Sequence, residues 1–158
     1  MFRKMRRSAQ TVTEEACEKV LTAAKRGVLS VIGDDGYPYG IPVNFYYDPE
    51  VKEIYFHGAK EGHKVDAIKA CDKVCFTTWN EGFKKDGDWA WNVTSVVSFG
   101  RAYFVEDEER RIKILEALGN KYYPDKDEVQ KEIVSAGGRA QITAIRIESM
   151  TGKLVNEK

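Results

Sequence analysis

The sequence predicts a mainly β fold with peripheral helices, built as a small, closed or partly open barrel of six strands. Short apolar segments follow one another closely and alternate with polar residues, which is the periodicity of strands with one buried face. Turn signals separate these segments, as at Asp34-Asp35-Gly36 and Asp48-Pro49-Glu50. Closing such strands into a barrel removes the unpaired edges that favour aggregation.

The clearest strand is the second, in which Ile41, Val43 and Phe45 occupy alternate positions. Gly100 lies inside the fifth strand, where a glycine indicates either a bulge or the close approach of a ligand. The six predicted strands cover residues 28–32, 39–47, 53–57, 74–79, 92–105 and 141–148.

Four helices are predicted around these strands. Thr11 or Thr13 can cap the first helix, because acidic residues follow at the spacing of a capping box, and Gly27 is expected to end it. The other helices cover residues 62–71, 106–118 and 125–135, and residues 81–88 form a polar loop.

The length and the charge of the chain limit its domain organisation and its possible partners. The 158 residues make a single domain, with 1–10 as a basic N-terminal arm and 149–158 as a C-terminal tail. The 25 basic and 25 acidic residues cancel, which argues against nucleic-acid or membrane binding. One basic cluster is expected to be solvated or packed on a partner chain, with a nucleic-acid arm as the alternative: Arg3, Lys4, Arg6 and Arg7.

Cysteine and histidine usage favours a cytoplasmic protein without a metal. Cys17, Cys71 and Cys75 are odd in number and lack CxxC spacing, so they are expected to be buried thiols in a reducing compartment. His57 and His63 do not form a metal-binding motif. No apolar stretch reaches the length of a membrane span, and no secretory signal is recognised.

The strongest chemical signal lies in residues 54–65, where a predicted strand runs through Gly58 into a turn and a helix opens at Gly62. The free N–H groups at a helix start bind phosphate. His63 and Lys64 stand in the first turn, where a cation costs about 0.3–1 kcal/mol because it opposes the helix dipole. A bound anion explains this placement, and simple solvation of both side chains is the alternative. The segment is neither a P-loop nor a GxGxxG fingerprint.

Two further segments offer surfaces for a flat ligand. Pro42 leaves one ladder position without a donor, which indicates an edge or a bulge. Asn44 and backbone amides could meet the rim of a ring there, although we favour a plain barrel-edge strand when this segment is taken alone. Residues 92–100 alternate small hydroxyl residues with valines and could line the same pocket or form an ordinary core strand. A group of aromatic residues could cover a ligand or, as we favour, pack a dimer interface: Trp79, Phe83, Trp89 and Trp91.

The order of these segments resembles the pyridoxamine 5′-phosphate oxidase-like flavin-binding split barrels, nearest the 5-nitroimidazole-resistance (Nim-type) branch. The resemblance covers roughly residues 5–148, and its most specific part is His57-Gly58-Ala59 followed by Gly62-His63-Lys64. It implies a six-stranded split β-barrel of FMN-binding type that works as a homodimer, with the cofactor between two subunits.

The resemblance also implies where FMN would lie. The residues implied beside or beneath the isoalloxazine ring are Pro42, Val43 and Asn44. Those implied along the ring and the ribityl chain are Tyr55, His57, Gly58 and Ala59. Those implied around the phosphate are Gly62, His63 and Lys64. A last group would approach from the fifth strand, which the second subunit could supply: Ser95, Val97 and Ser98.

The function that the resemblance implies is an FMN-dependent oxidoreductase. NAD(P)H would reduce the flavin, and the flavin would reduce a small aromatic or nitroaromatic acceptor, with no side chain committed as acid or base. The substrate-binding arginine segment of the oxidase itself is not seen in residues 150–154, so vitamin B6 oxidation is not expected. The alternative is a non-catalytic split barrel that holds flavin or haem, with His57 or His63 as an iron ligand.

Overall fold

The computed structural model describes residues 2–156 and contains, within them, four α-helices and eight strands. The helices are α1 (Glu14–Ala23), α2 (His63–Ala70), α3 (Glu108–Tyr122) and α4 (Lys126–Ala136). The strands are β1 (Arg26–Ile32), β2 (Pro38–Asn44), β3 (Tyr46–Asp48), β4 (Glu53–Gly58), β5 (Lys73–Trp79), β6 (Phe83–Lys84), β7 (Trp91–Phe104) and β8 (Gln141–Asn156). No helix within residues 2–156 is long and apolar enough to cross a membrane.

The strands form one antiparallel sheet in the order β2-β1-β5-β7-β8-β4-β3, with β6 paired to β7. The sheet curls into a half-barrel, so that β2 lies at one end of its strand order and β3 and β4 at the other. Six strands carry the architecture, because β3 and β6 contribute only three and two residues. The predicted mainly β, six-stranded barrel with peripheral helices is therefore confirmed.

The curled sheet encloses the main hydrophobic core. Phe45 and Phe76 are fully buried there, and their rings meet edge to face with centroids 4.8 Å apart. Helix α1 adds Cys17, Val20 and Leu21 to the same core. Thr13 begins this helix by accepting a hydrogen bond from the backbone N–H of Ala16 at 3.2 Å, which confirms one of the two predicted caps.

A second, smaller core lies on the other face of the sheet, beneath α3. Ile114 and Leu118 of this helix pack against Tyr55, Ile142 and Ala144 from β4 and β8. Helix α3 therefore covers only the β4–β8 end of the sheet. This arrangement also places the C-terminal end of α3 beside the junction of β2 and β3.

The predicted second strand, 39–47, is broken at Phe45 into β2 and β3. The break occurs because the chain passes there from β1, the partner of β2, to β4, the partner of β3. The hydroxyl oxygen of Tyr122 lies 2.8 Å from both the backbone nitrogen and the backbone oxygen of Phe45. A side chain from α3 thus supplies the hydrogen bonds that a neighbouring strand would otherwise make.

Two glycines have clear steric roles in the sheet. The prediction that Gly27 ends the first helix is wrong, because α1 ends at Ala23 and Gly27 lies in β1, where a Cβ would stand 2.3 Å from Cζ of Phe76. Gly100 sits at a bulge in the pairing of β7 with β8, and a Cβ there would lie 2.2 Å from the backbone oxygen of Arg146. The bulge, of the two alternatives for Gly100, is confirmed.

Residues 149–156, expected as a tail, form the second half of β8. They pair with β7 from Phe99 to Asn92, on the edge of β7 opposite β5, and this edge would otherwise lack a neighbouring strand. The loop at 81–88 likewise contains the short strand β6. The three cysteines are free thiols, but only Cys17 is buried, and Cys71 and Cys75 are half-buried.

Candidate functional site

The candidate site is the seam of the half-barrel, which we define as the gap between Asn44, the last residue of β2, and His57, the next-to-last residue of β4. Both side chains are exposed and line one cleft, which shows that curling has brought the two ends of the sheet together. Helix α2 begins across this seam. His63 stacks on Tyr39 of β2 with ring centroids 4.3 Å apart, and Lys64 Nζ lies 5.1 Å from the ring centroid of Phe56 in β4.

Lys64 is a half-buried cation at the start of α2. Burial lowers the pKa of its ammonium group, and no carboxylate within residues 2–156 forms an ion pair with it. Gly58 provides the space for the side chain, because a Cβ at that position would lie 3.0 Å from Lys64 Nζ. A desolvated, unpaired charge is unfavourable, so this position suits a lysine that receives an anion.

The start of α2 has no side-chain cap. Gly62 precedes the helix with φ +119°, a conformation that favours glycine. Its carbonyl oxygen accepts hydrogen bonds from the N–H groups of Val65 and Asp66. The N–H groups of the first helical residues have no partner inside a helix, and the helix dipole adds partial positive charge. Lys64 therefore adds a full charge to a backbone site that already suits an anion.

His63 is held against the turn between β1 and β2. Its Nε2 accepts a hydrogen bond from the backbone N–H of Asp34 at 3.4 Å and lies 3.6 Å from the Asp34 carboxylate. Gly33 permits this approach, since a Cβ there would stand 3.2 Å from the same nitrogen. The ring nitrogen left for a ligand is Nδ1.

The structure brings most of the predicted strand residues to the seam, in two orientations. Along β2, Val43 packs toward the main core, whereas Pro42 and Asn44 face outward. Gly58 and Ala59 follow His57 and lead the chain toward Gly62. A ligand between β2 and β4 would therefore meet the Asn44 and His57 side chains and the backbone around Gly58.

Tyr55 and Ser98 are not brought to the seam. Tyr55 is 2% exposed beneath α3, where its hydroxyl donates to Glu53 at 2.6 Å and accepts from Arg110 at 3.1 Å. Ser98 points into the main core, and its hydroxyl oxygen has no hydrogen-bond partner among residues 2–156. Both positions follow from strand alternation, since Tyr55 and Phe56 face opposite sides of β4, and Ser98 shares its side of β7 with Val96.

Ser95 and Val97 lie on the outer face of the sheet, separated from β2 by β1 and β5. Register places Val97 opposite Thr77 and Ser95 opposite Trp79. Trp79 is 52% exposed and Phe99 41%, and Phe2 stacks on Phe99 with ring centroids 5.5 Å apart. This face carries large apolar side chains that the described chain covers only in part.

The cleft at the seam has a volume of about 570 Å³, and much of its lining comes from helices that the sequence patterns did not connect to the site. Leu115, Leu118, Gly119 and Tyr122 follow one another at helical spacing on α3 and form one wall. The apolar spacing of α3 was visible in the sequence, but the partner of that face was not. Helix α4 supplies the opposite wall.

The curled antiparallel sheet with helices at its periphery is a split barrel. Residues 13–154 match the family model of pyridoxamine 5′-phosphate oxidase, and the chain therefore belongs to that family. No curated protein sequence matches this chain.

Three solved structures show the same fold at low sequence identity. A protein of Bacteroides thetaiotaomicron named "putative 5-nitroimidazole antibiotic resistance protein" is 20% identical, with coverage of 92% of this chain and 87% of that one and a TM-score of 0.75. A FAD-binding protein of Mesorhizobium loti is 22% identical, with coverages of 92% and 97% and a TM-score of 0.65. The flavocytochrome Anf3 of Azotobacter vinelandii is 19% identical, with coverages of 96% and 72% and a TM-score of 0.75. The resemblance to the pyridoxamine 5′-phosphate oxidase-like family stated from the sequence is confirmed, and the structure named for 5-nitroimidazole resistance shares its fold.

Proposed function

We propose that this protein binds FMN at the seam, with the phosphate at the N-terminus of α2. The observation that carries the proposal is Lys64, a half-buried cation without an ion-pair partner among residues 2–156, beside an uncapped helix start. The missing Cβ of Gly58 leaves space beside this charge, because a Cβ there would lie 3.0 Å from Lys64 Nζ. These features fit a phosphate group, which is compact and anionic and accepts several hydrogen bonds.

The flat part of the cofactor would extend from this anchor along the seam. Pro42, Val43 and Asn44 would flank it from β2, and His57 and Gly58 from β4. Bound FMN supplies hydride and electron transfer, which no side chain of the protein can perform. The chain's own residues would hold the phosphate, orient the ring and exclude water from one of its faces. The flavin-binding relatives named above support this assignment.

We further propose that the protein works as a homodimer through the outer face that carries Trp79, Val97 and Phe99. These side chains form an apolar surface of a kind enriched at subunit interfaces. Ser95 and Val97 lie too far around the sheet to meet a ligand at the seam of their own subunit. We propose that the interface extends from this face to the seam of the second copy, so that Ser95 and Val97 meet the partner's cofactor.

The activity we propose is NAD(P)H-dependent reduction of small aromatic or nitroaromatic acceptors in the cytoplasm, where the three free cysteines remain thiols. The relative named for 5-nitroimidazole resistance supports the acceptor class, and the flavoprotein relatives support the cofactor. Catalysis then depends on placing the flavin beside the acceptor rather than on an acid–base pair.

The absorption spectrum of the purified protein tests the cofactor directly. We expect flavin bands, and after removal of the flavin we expect FMN to bind more tightly than riboflavin, because riboflavin lacks the phosphate. Anaerobic addition of NADH or NADPH should bleach these bands, and a nitroaromatic acceptor should restore them. A haem Soret band instead of flavin bands would support the haem alternative. Equal affinity for FMN and riboflavin would refute the phosphate anchor.

A further inference from the structure

The cleft at the seam is bounded by two helices and by the ends of two strands. Helix α3 contributes an apolar wall, and α4 contributes Val129, Ile133 and Ala136. Val129 fixes the spacing of the helices, because it packs so closely on Gly119 that a Cβ there would lie 2.4 Å from Val129 Cγ1. A volume of about 570 Å³ is within the range of small-molecule sites.

The charged groups that line this cleft are all acidic. Glu128 and Glu132 stand one turn apart on α4, and neither forms an ion pair within residues 2–156. No lysine or arginine of the described chain belongs to the lining. The remaining polar groups there are amide, imidazole and phenol groups, from Asn44, His57 and the two tyrosines at the end of α3.

Two basic side chains, Arg111 and Lys60, are directed at the backbone that closes one end of the cleft. Arg111 donates to the carbonyl oxygens of Gly137 and Ala140, at 3.0 Å and 3.1 Å, and also pairs with Glu108. Lys60 donates to the carbonyl oxygen of Gly138 at 3.1 Å. These contacts hold the segment after α4 in place. The charged groups of the lining that a ligand would meet are therefore the two carboxylates on α4.

We propose that this cleft binds the acceptor and that it selects flat aromatic molecules carrying a positive charge over neutral or anionic ones of the same shape. The inference rests on the proposed function, because the flavin would lie at the Asn44–His57 end of the cleft. The apolar walls suit an aromatic ring, and the carboxylates of Glu128 and Glu132 favour a cationic substituent at the α4 side. The same carboxylates repel phosphorylated or carboxylated molecules.

Three probes of nearly equal size test this selectivity: 4-nitrobenzylamine, which is cationic at pH 7, 4-nitrobenzyl alcohol and 4-nitrobenzoate. Calorimetric titration of the purified protein, with and without its flavin, should place the cation first and the carboxylate last. Each carboxylate should contribute a factor of about 1.5 to 5 in affinity, the range found for exposed ion pairs. Tighter binding of the anion, or equal binding of all three probes, would overturn the proposal.

Variants locate the binding to this cleft. The double change Glu128→Gln and Glu132→Gln should abolish the preference for the cation while the alcohol binds as before. Asp127→Asn is the matched control, since it removes one negative charge from the same helix outside the cleft and should leave the selectivity unchanged. Ala136→Phe should weaken all three probes, because it fills the cleft. Unchanged selectivity in the double variant would refute the assignment.

The two proposals can fail separately. Selective binding of the cation by a protein that takes up no flavin contradicts the proposed function but supports the cleft assignment. Flavin binding combined with a preference for 4-nitrobenzoate supports the proposed function and refutes the cleft assignment. If Ala136→Phe abolishes FMN binding itself, the cleft holds the cofactor and the acceptor proposal is wrong.

Discussion

Replacing Lys64 with methionine should have opposite effects on cofactor affinity and on the stability of the flavin-free protein. Methionine keeps much of the packing of the stem against Phe56 but removes the charge. A charge-assisted hydrogen bond contributes about 1.5–3 kcal/mol, so the Kd for FMN should rise about 10- to 150-fold. The affinity for riboflavin should change little, because riboflavin has no phosphate to lose.

The stability of the flavin-free protein should stay the same or rise in the Lys64→Met variant. Burial lowers the pKa of this ammonium group and no carboxylate of residues 2–156 compensates it, so the charge destabilises the empty protein. The contact with the Phe56 ring offsets only part of that cost, at about 0.5–1 kcal/mol.

Flavin fluorescence titration measures the first effect, and urea unfolding of the flavin-free protein measures the second. Lys69→Met is the control, because Lys69 is an exposed lysine in the last turn of the same helix. Loss of stability in Lys64→Met with an unchanged Kd for FMN would show that Lys64 is a structural residue, and the phosphate site would have to be sought elsewhere.

Three further substitutions test the structure around the seam by urea unfolding. Burial lowers the pKa of Lys121 to about 8, so Lys121→Met should stabilise the protein by about 1–3 kcal/mol at pH 7. This gain in the free energy of unfolding should shrink between pH 8 and 10.5, because the unfolded wild-type chain binds more protons there than the folded one. A gain that does not change with pH would contradict this prediction. Tyr122→Phe should cost about 1–3 kcal/mol, because it deprives the Phe45 N–H of its acceptor. A cost below about 0.5 kcal/mol, the level of a surface substitution, would mean that water replaces the hydroxyl. Gly62→Ala should lower the free energy of unfolding by about 1–3 kcal/mol, because Gly62 has a positive φ. Gly138→Ala is the control and should be nearly neutral, since a Cβ there would lie in open space. Equal effects of the two changes would refute the strain argument.

The sequence by itself determined the element types, most of their boundaries and the phosphate-site candidate. Strand alternation, the turn at Asp34-Asp35-Gly36 and the Thr13 cap are local features, whose physics acts over a few residues. The same holds for the block from Gly58 to Lys64, because a glycine turn that opens a helix is a local arrangement. These parts of the prediction needed no knowledge of the tertiary structure.

Tertiary structure decided which of those residues share a surface. The alternation predicts a continuous strand through Phe45, yet the strand breaks there because the chain passes from β1 to β4. Tyr122, 77 positions away, makes the backbone hydrogen bonds of Phe45 at this break. Tyr55 and His57 share one face of β4, yet α3 buries only Tyr55. The position of a covering helix depends on long-range contacts, so the local alternation does not predict which of the two residues is buried. The cleft with its two carboxylates exists only because Val129 packs on Gly119, a contact between two helices that no local spacing encodes.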